Sequence, residues 1–134
     1  MGISMPIQKL QDMPVAFNQA YFALTIDHQP GIRYCNKLAL PYLMGILREN
    51  ELASQMGHPA ISLLASYDRA NNTELSITLA AYIRNGCKQN ETAKALHIHL
   101  NSLKYRIKRI EELTQIDFKN VDECFYLRLS LELI

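Results

Sequence analysis

The 134-residue sequence has no tryptophan, five glycines, five prolines and three cysteines. Each shortage excludes something. Cys35, Cys87 and Cys124 are odd in number and lack C-x-x-C spacing, which argues against a disulfide framework and a zinc site and fits free thiols in a reducing cytoplasm. No apolar run approaches the ~18 residues of a membrane span. The opening MGISMPIQ lacks the basic and apolar regions of a signal peptide, and Pro6 stands where a myristoylation motif needs Ser or Thr. The chain is therefore read as cytoplasmic, without a membrane. The scattered glycines build no phosphate loop, and neither G-x-S-x-G nor H-E-x-x-H occurs, so neither an enzyme nor a bound cofactor is expected. His97 and His99 near Cys87 match no ligand spacing, so no metal is expected either.

A surplus of one charge is also missing, since the formal net charge is only +1. The charge is unevenly spread, however. Between Arg84 and Arg109 seven cations face Glu91 alone, a net +6 that leaves −5 for the rest of the chain. Such asymmetry concentrates a positive field on one module, as steering toward phosphates requires. The bland alternative is a solvated basic face. With 49% hydrophobic and 20% charged residues, the chain can build an ordinary globular core.

The basic region contains the most informative stretch, Asn90–Leu113, which reads as two helices joined by a tight turn. In the second, Leu103, Ile107, Ile110 and Leu113 fall at helical spacing and form one inward stripe. At about 100° per residue, Asn101, Lys104, Tyr105, Lys108 and Glu112 project from the other face. An amide, a phenol and cations on a short helix suit a duplex groove, where polar groups meet base edges and cations meet phosphates. This predicts a helix-turn-helix. Asn90 is the expected cap of a first helix, Glu91–Leu96, with Ala93 and Leu96 inward. His97–Leu100 is the turn, Ile98 filling the space between the helices, and Asn101 is the expected cap of the second helix, Asn101–Leu113.

Along the rest of the chain, residues 1–6 read as a lead-in without a structural part. Ile7, Leu10, Met13, Phe17, Tyr21 and Leu24 give a helical stripe broken at Pro14, with Asp12 the cap of a helix that holds the proline in its first turn. Asp27–Gly31 is a break. Ile32–Cys35 reads as one short extended segment with no partner strand. Asn36–Met56 is helical, with Pro41 in a first turn and Leu43, Ile46 and Leu47 inward. Gly57 ends it, His58-Pro59 begins a helix to Tyr67, and the domain boundary is placed at Gly57, giving segments 1–57 and 58–134. Thr73 is the expected cap of a helix carrying Leu75, Leu79, Tyr82 and Ile83 that stops at Asn85-Gly86. The terminal CFYLRLSLELI fits a strand or a helix. With no neighbouring strand it is read as a helix capped by Asp122, with Cys124, Leu127, Leu131 and Ile134 on one face. Its apolar surroundings need cover on more than one side, the helix-turn-helix on one and a second copy on another.

Several separated motifs keep order and spacing here: Tyr67-Asp68, the Leu75–Ile83 helix, Glu91-Thr92-Ala93 with Leu96, and His99 to Arg106. Over Pro59–Ile134 the chain resembles the C-terminal helix-turn-helix domain of the PucR/CdaR group of bacterial regulators of purine catabolism and sugar-diacid use. The resemblance implies a Fis-like, mainly α bundle that binds double-stranded operator DNA as a homodimer and regulates transcription. It also implies that Ile7–Leu47 is the tail of a preceding domain and that an effector is sensed upstream, in a longer protein. Leu100 stands where many relatives carry Arg, which removes one phosphate contact. Ser102 and Lys104 stand for the commoner Thr and Arg, and Ser102 keeps the hydroxyl.

The expected DNA contacts are Asn90, Thr92, His99, Asn101, Ser102, Lys104, Tyr105, Lys108 and Arg109. Ser102 and Tyr105 reach a base edge or phosphate, against a reading of Tyr105 as a ring packed on a neighbouring helix. Lys104, Lys108 and Arg109 meet phosphates or groove edges. Asn90 and Thr92 open the first helix, where N–H groups and a hydroxyl hold phosphate, and Asn101 combines cap and contact. His99 is a phosphate contact or a hydrogen bond that stabilises the turn. Arg106, beside the apolar stripe, is read as structural, paired with Glu111 or Asp68. Two rivals stand beside this: a protein-interaction module using the apolar helices, and an RNA binder, which the single aromatic on the basic face disfavours.

Overall fold

A computed structural model describes residues 1–26 and 31–133, with positions 53 and 54 described by backbone alone. The chain divides into two units, Met1–Glu49 and Asn50–Ile134.

In the first unit, β1 (Gly2–Ile3) pairs in parallel with β2 (Arg33–Tyr34), in the register Gly2 to Arg33 and Ile3 to Tyr34. The extended segment therefore has a partner, and residues 1–6, read as a lead-in, supply it. The pairing depends on Gly2, because a Cβ there would lie 2.0 Å from the Ala20 carbonyl oxygen. That close approach sets the inward face of α1 (Met13–Thr25), which turns Ala16, Ala20 and fully buried Ala23 inward. Most of the expected large-residue stripe points the other way: Leu10, Met13, Phe17 and Tyr21 are exposed. Leu24 is also partly exposed, but its Cγ lies 3.1 Å from the place a Cβ on Gly2 would take. Pro14 lies in the first turn of α1 as expected, although the Asp12 side chain makes no capping bond. The Asp27–Pro30 part of the expected break lies outside the described residues.

After a 3-10 turn (Cys35–Leu38), α2 (Ala39–Glu49) buries Met44 and not the expected Leu43 and Ile46, which are exposed. Phe22 meets Tyr42 edge-on, ring centroids 4.6 Å apart. Asn50 interrupts the expected continuous helix, and α3 (Glu51–Gln55) follows.

The second unit is a helical bundle around α5. Its helices are α4 (Pro59–Asn71), α5 (Leu75–Arg84), α6 (Gln89–Ala95), α7 (Leu100–Thr114) and α8 (Val121–Leu133). Helix α5 packs on all four others, which is why it buries Leu75, Thr78, Leu79, Tyr82 and Ile83. Leu64, Leu103, Ile110 and Leu127 complete the fully buried core. Tyr82 meets Phe118 edge-on at 5.0 Å.

The helix ends depart from expectation in a consistent way, because the capping groups come from elsewhere. Helix α4 runs to Asn71, four residues past the expected end, and closes on Asn72 at φ +52. Its Asp68 then caps the next helix in place of Thr73: Oδ1 accepts from Leu75 N–H at 2.8 Å and Oδ2 from Ser76 N–H at 2.8 Å. The Thr73 hydroxyl donates to Oδ1 at 2.6 Å, and the Ser76 hydroxyl donates to Oδ2. Burial pushes the Asp68 carboxyl up, but these hydrogen bonds outweigh it and leave it below its ordinary value. Asn120 takes the role expected of Asp122, its Oδ1 accepting from the N–H groups of Asp122 at 3.0 Å and Glu123 at 3.2 Å.

Histidines cap the starts of α4 and α7. His58 Nδ1 accepts from Ala60 N–H at 3.2 Å, and His58 N–H donates to the buried Ser130 hydroxyl at 2.9 Å. The Tyr126 hydroxyl donates to the Met56 carbonyl at 2.9 Å. These bonds tie residues 56–58 to α8. Desolvation holds the His58 imidazole below its ordinary pKa despite Glu123, whose carboxylate lies 3.8 Å away.

Helix α8 is a helix, as read, with Leu127 and Ser130 buried and Cys124 and Leu131 half-buried; Ile134 lies outside the described residues. It packs on α5, while Val121 and Phe125 remain exposed, so the expected cover on a second side is not supplied by the described residues.

Candidate nucleic-acid interface

The helix-turn-helix is α6, the turn His97–His99, and α7. Helix α5 ends at Asn85-Gly86 as expected: Gly86 N–H bonds Ile83 carbonyl at 3.1 Å and Cys87 N–H bonds Tyr82 carbonyl at 2.9 Å. This paired closure needs a left-handed residue, and Gly86 takes it at φ +62. The same closure ends α6, where His97 N–H bonds Lys94 carbonyl at 3.2 Å and Ile98 N–H bonds Ala93 carbonyl at 3.0 Å. There the left-handed residue is His97, at φ +54. Its geometry turns Ile98 against the core beside Leu100 and aims the chain into α7.

Helix α7 sorts its residues as the spacing predicts. Leu103 and Ile110 are fully buried, Ile107 is buried, and Leu113 packs on the same core. Asn101, Ser102, Lys104, Tyr105, Lys108 and Glu112 are exposed. Tyr105 is 72% exposed, so its ring is not packed on a neighbouring helix.

Three of the expected contact positions, Asn101, Asn90 and Thr92, change role. His99 caps α7 in place of Asn101, its Nδ1 accepting from Asn101 N–H at 3.3 Å. The turn-stabilising reading of His99 thus describes its hydrogen bond, and the Asn101 side chain stays exposed. Lys88 occupies the cap position of α6, without a capping side-chain bond, so Asn90 lies one residue inside the helix and exposed. Thr92 is fully buried and donates its hydroxyl to the Lys88 carbonyl at 2.8 Å. It has no surface for phosphate, and its part is to fix the first turn of α6.

The cations fall into two groups. Arg106 donates to the Thr78 hydroxyl at 3.2 Å and pairs with Glu74 at 3.1 Å, so it is structural as read, with Glu74 in place of Glu111 or Asp68. Arg109 donates to the Tyr67 hydroxyl at 3.1 Å and pairs with Glu112 at 3.1 Å. Its guanidinium also lies 5.6 Å from the centre of the Tyr67 ring. Lys104 and Lys108, by contrast, have no acidic partner among the described residues. Lys94 is the same.

Two grooves flank this face. One, of about 710 Å³, sets Asn101, Ser102, Tyr105 and Arg109 opposite Asn72–Leu75 and Tyr67. The other, of about 560 Å³, joins Asn90 and His99 to Lys94 and His97. Lys94 was not among the expected contacts, although it lies four residues from Asn90 and therefore on the same helix face. The Asn72–Leu75 wall could not have been found from periodicity, because a loop has none.

A short helix held across a second helix, with the exposed face of the second polar and cationic, defines a helix-turn-helix domain. Residues 75–133 match the PucR C-terminal helix-turn-helix domain, and this part of the chain is a domain of that family. The chain is 41% identical over 96 residues to the carbohydrate diacid regulator of Escherichia coli (strain K12), covering 72% of this chain and 24% of that protein. It is 40% identical over 86 residues to the DNA-binding transcriptional activator AdeR of Bacillus subtilis (strain 168), covering 63% and 20% respectively. The purine catabolism regulatory protein of the same organism is 32% identical over 136 residues, covering 98% of this chain and 25% of that protein. The chain thus spans about a fifth to a quarter of these relatives. The relatives that share this helix-turn-helix domain are named as transcriptional regulators and activators. No helix among the described residues is long and apolar enough to cross a membrane.

Proposed function

We propose that this chain binds operator DNA as a homodimer, with α7 in the major groove and α6 across the backbone. The observation that carries the proposal is the outward face of α7. Lys104 and Lys108 have no acidic partner among the described residues there, and they stand beside exposed Ser102 and Tyr105 on a helix whose other face is core. Lysines without carboxylate partners lose no ion pair on meeting phosphate, so the counterions they release favour binding. Asn101, Ser102 and Tyr105 then read base edges, while Lys104, Lys108, Asn90 and His99 position the backbone. Arg109, held by Tyr67 and Glu112, serves the groove edge as an oriented guanidinium. Lys94 joins Asn90 and His99 at phosphate. Two copies place their α7 helices one helical turn of DNA apart, about 34 Å. Val121 and Phe125, exposed on successive turns of α8, give those copies an apolar contact. The signal is received upstream of this segment in a longer regulator and acts in a reducing cytoplasm.

The test is fluorescence anisotropy of the chain with duplex DNA over a salt series, followed by operator selection. Binding is expected to fall with a log–log slope of several units, at ~0.9 per phosphate neutralised. Lys108→Glu should weaken every duplex alike, by roughly tenfold, whereas Ser102→Ala and Tyr105→Phe should change sequence preference. A uniform loss from all three variants overturns this division of labour. No binding by the wild type at low salt, with a dimer present on gel filtration, overturns the proposal in favour of an interaction module.

A further inference from the structure

Two thiols meet between the α5–α6 turn and α8. Cys87 lies in the turn between α5 and α6, Cys124 in the first turns of α8, and their sulfurs are 3.9 Å apart. Both are half-buried. The Cys87 backbone is held at φ +59 by its N–H bond to the Tyr82 carbonyl, and the Cys124 thiol donates to the Phe118 carbonyl at 3.4 Å. A cleft of about 240 Å³ opens onto the pair, lined by Gly86, Lys119, Val121 and Arg128 as well as the two cysteines. Neither thiol has a part in the recognition face, and a peroxide-sized molecule fits the cleft.

We propose that Cys87 and Cys124 form a reversible intramolecular disulfide when the protein meets a hydroperoxide. A disulfide needs the sulfurs to close by roughly 1.9 Å, a distance that side-chain rotation and a small shift of the Cys87 turn supply. Hydrogen peroxide, the simplest such oxidant, transfers one oxygen to the Cys124 sulfur, giving a sulfenic acid and one water. The Cys87 sulfur then attacks that sulfur. The S–S bond forms, the S–O bond breaks, and the hydroxide leaves with the Cys87 thiol proton as a second water. Burial and its neighbour Cys124 push the Cys87 thiol up, and the products are the same whichever of the two sulfurs is oxidised first. Lys119 supplies positive charge at the same cleft, while the Arg128 guanidinium there is paired with Glu132 at 3.4 Å. The bond closes α6 and α7 into one covalent ring and restrains the unfolded chain around the helix-turn-helix.

The experiment treats the full chain with hydrogen peroxide and counts thiols, masses and linked peptides. Two of the three thiols should disappear, with a mass lower by about 2 Da, a peptide linking Cys87 to Cys124, and recovery with dithiothreitol. The melting temperature of the oxidised chain should rise by roughly 10 °C. Cys35→Ser should behave as the wild type, while Cys87→Ser and Cys124→Ser should each abolish the linked peptide and the shift in melting. Three intact thiols after treatment, independent oxygen adducts on separate cysteines, or cross-links only between chains would each overturn the assignment.

Discussion

Helices α1 and α7 carry large apolar side chains at the same helical spacing, yet α7 buries them and α1 does not. In α7, Leu103, Ile107 and Ile110 meet α4, α5 and α6. In α1, Phe17 and Tyr21 face outward while the alanine face meets the strands. Spacing defines a face, but burial needs a surface of matching shape at the right distance. For α1 that surface is a strand whose Gly2 comes so close to Ala20 and Leu24 that a Cβ there would not fit.

The largest effect that sharpens this comparison is on stability. Leu103→Ala should cost about 3 kcal/mol in urea unfolding of the second unit, against about 0.5 kcal/mol or less for Phe17→Ala. Equal costs would mean that the α1 stripe is covered in solution. Next comes the borrowed cap: Asp68→Ala should destabilise by about 2 kcal/mol, by stripping α5 of its N-terminal acceptor while leaving the face of α7 untouched. If DNA affinity falls more than stability predicts, Asp68 has a further part in binding.

A smaller, pH-dependent loss should come from His58. Its folded pKa lies below the unfolded value of about 6.5, so the unfolded chain binds the proton first, and stability should fall as pH drops below that value. Asp68, also depressed, contributes stability that is present above its ordinary pKa and lost in stronger acid. His58→Asn keeps a capping acceptor without titrating and should flatten the upper part of the profile; an unchanged profile would remove His58 from the account. The smallest expected effect is at the turn, where His97→Gly should stabilise by about 0.5 kcal/mol by relieving the left-handed backbone. A loss there would show that the imidazole makes a contact worth more than the strain.

Much of the two-faced character of α7 was legible. The stripe Leu103–Ile107–Ile110 and the outward Lys104, Tyr105 and Lys108 follow from a period of 3.6 and hold because the second unit supplies a core on one side only. Capping was less legible: Thr73, Asn90, Asn101 and Asp122 were each the nearest suitable residue, while Asp68, Lys88, His99 and Asn120 occupy those places. A cap is chosen by where a chain enters a helix, and a carboxylate from the previous helix can arrive there as well as a neighbour can. Thr92 is the sharper case, since the position suits a phosphate but the bundle closes over it.

The sequence by itself determined the helix-turn-helix, its polar face and its family, because periodicity, charge clustering and motif order are all local properties of the chain. Only the tertiary structure decided which cations are free and which are held, that Gly2–Ile3 pairs with Arg33–Tyr34, and that Cys87 meets Cys124. Each of those depends on residues distant in sequence coming within bonding distance, and side-chain interactions at that range have no period to betray them.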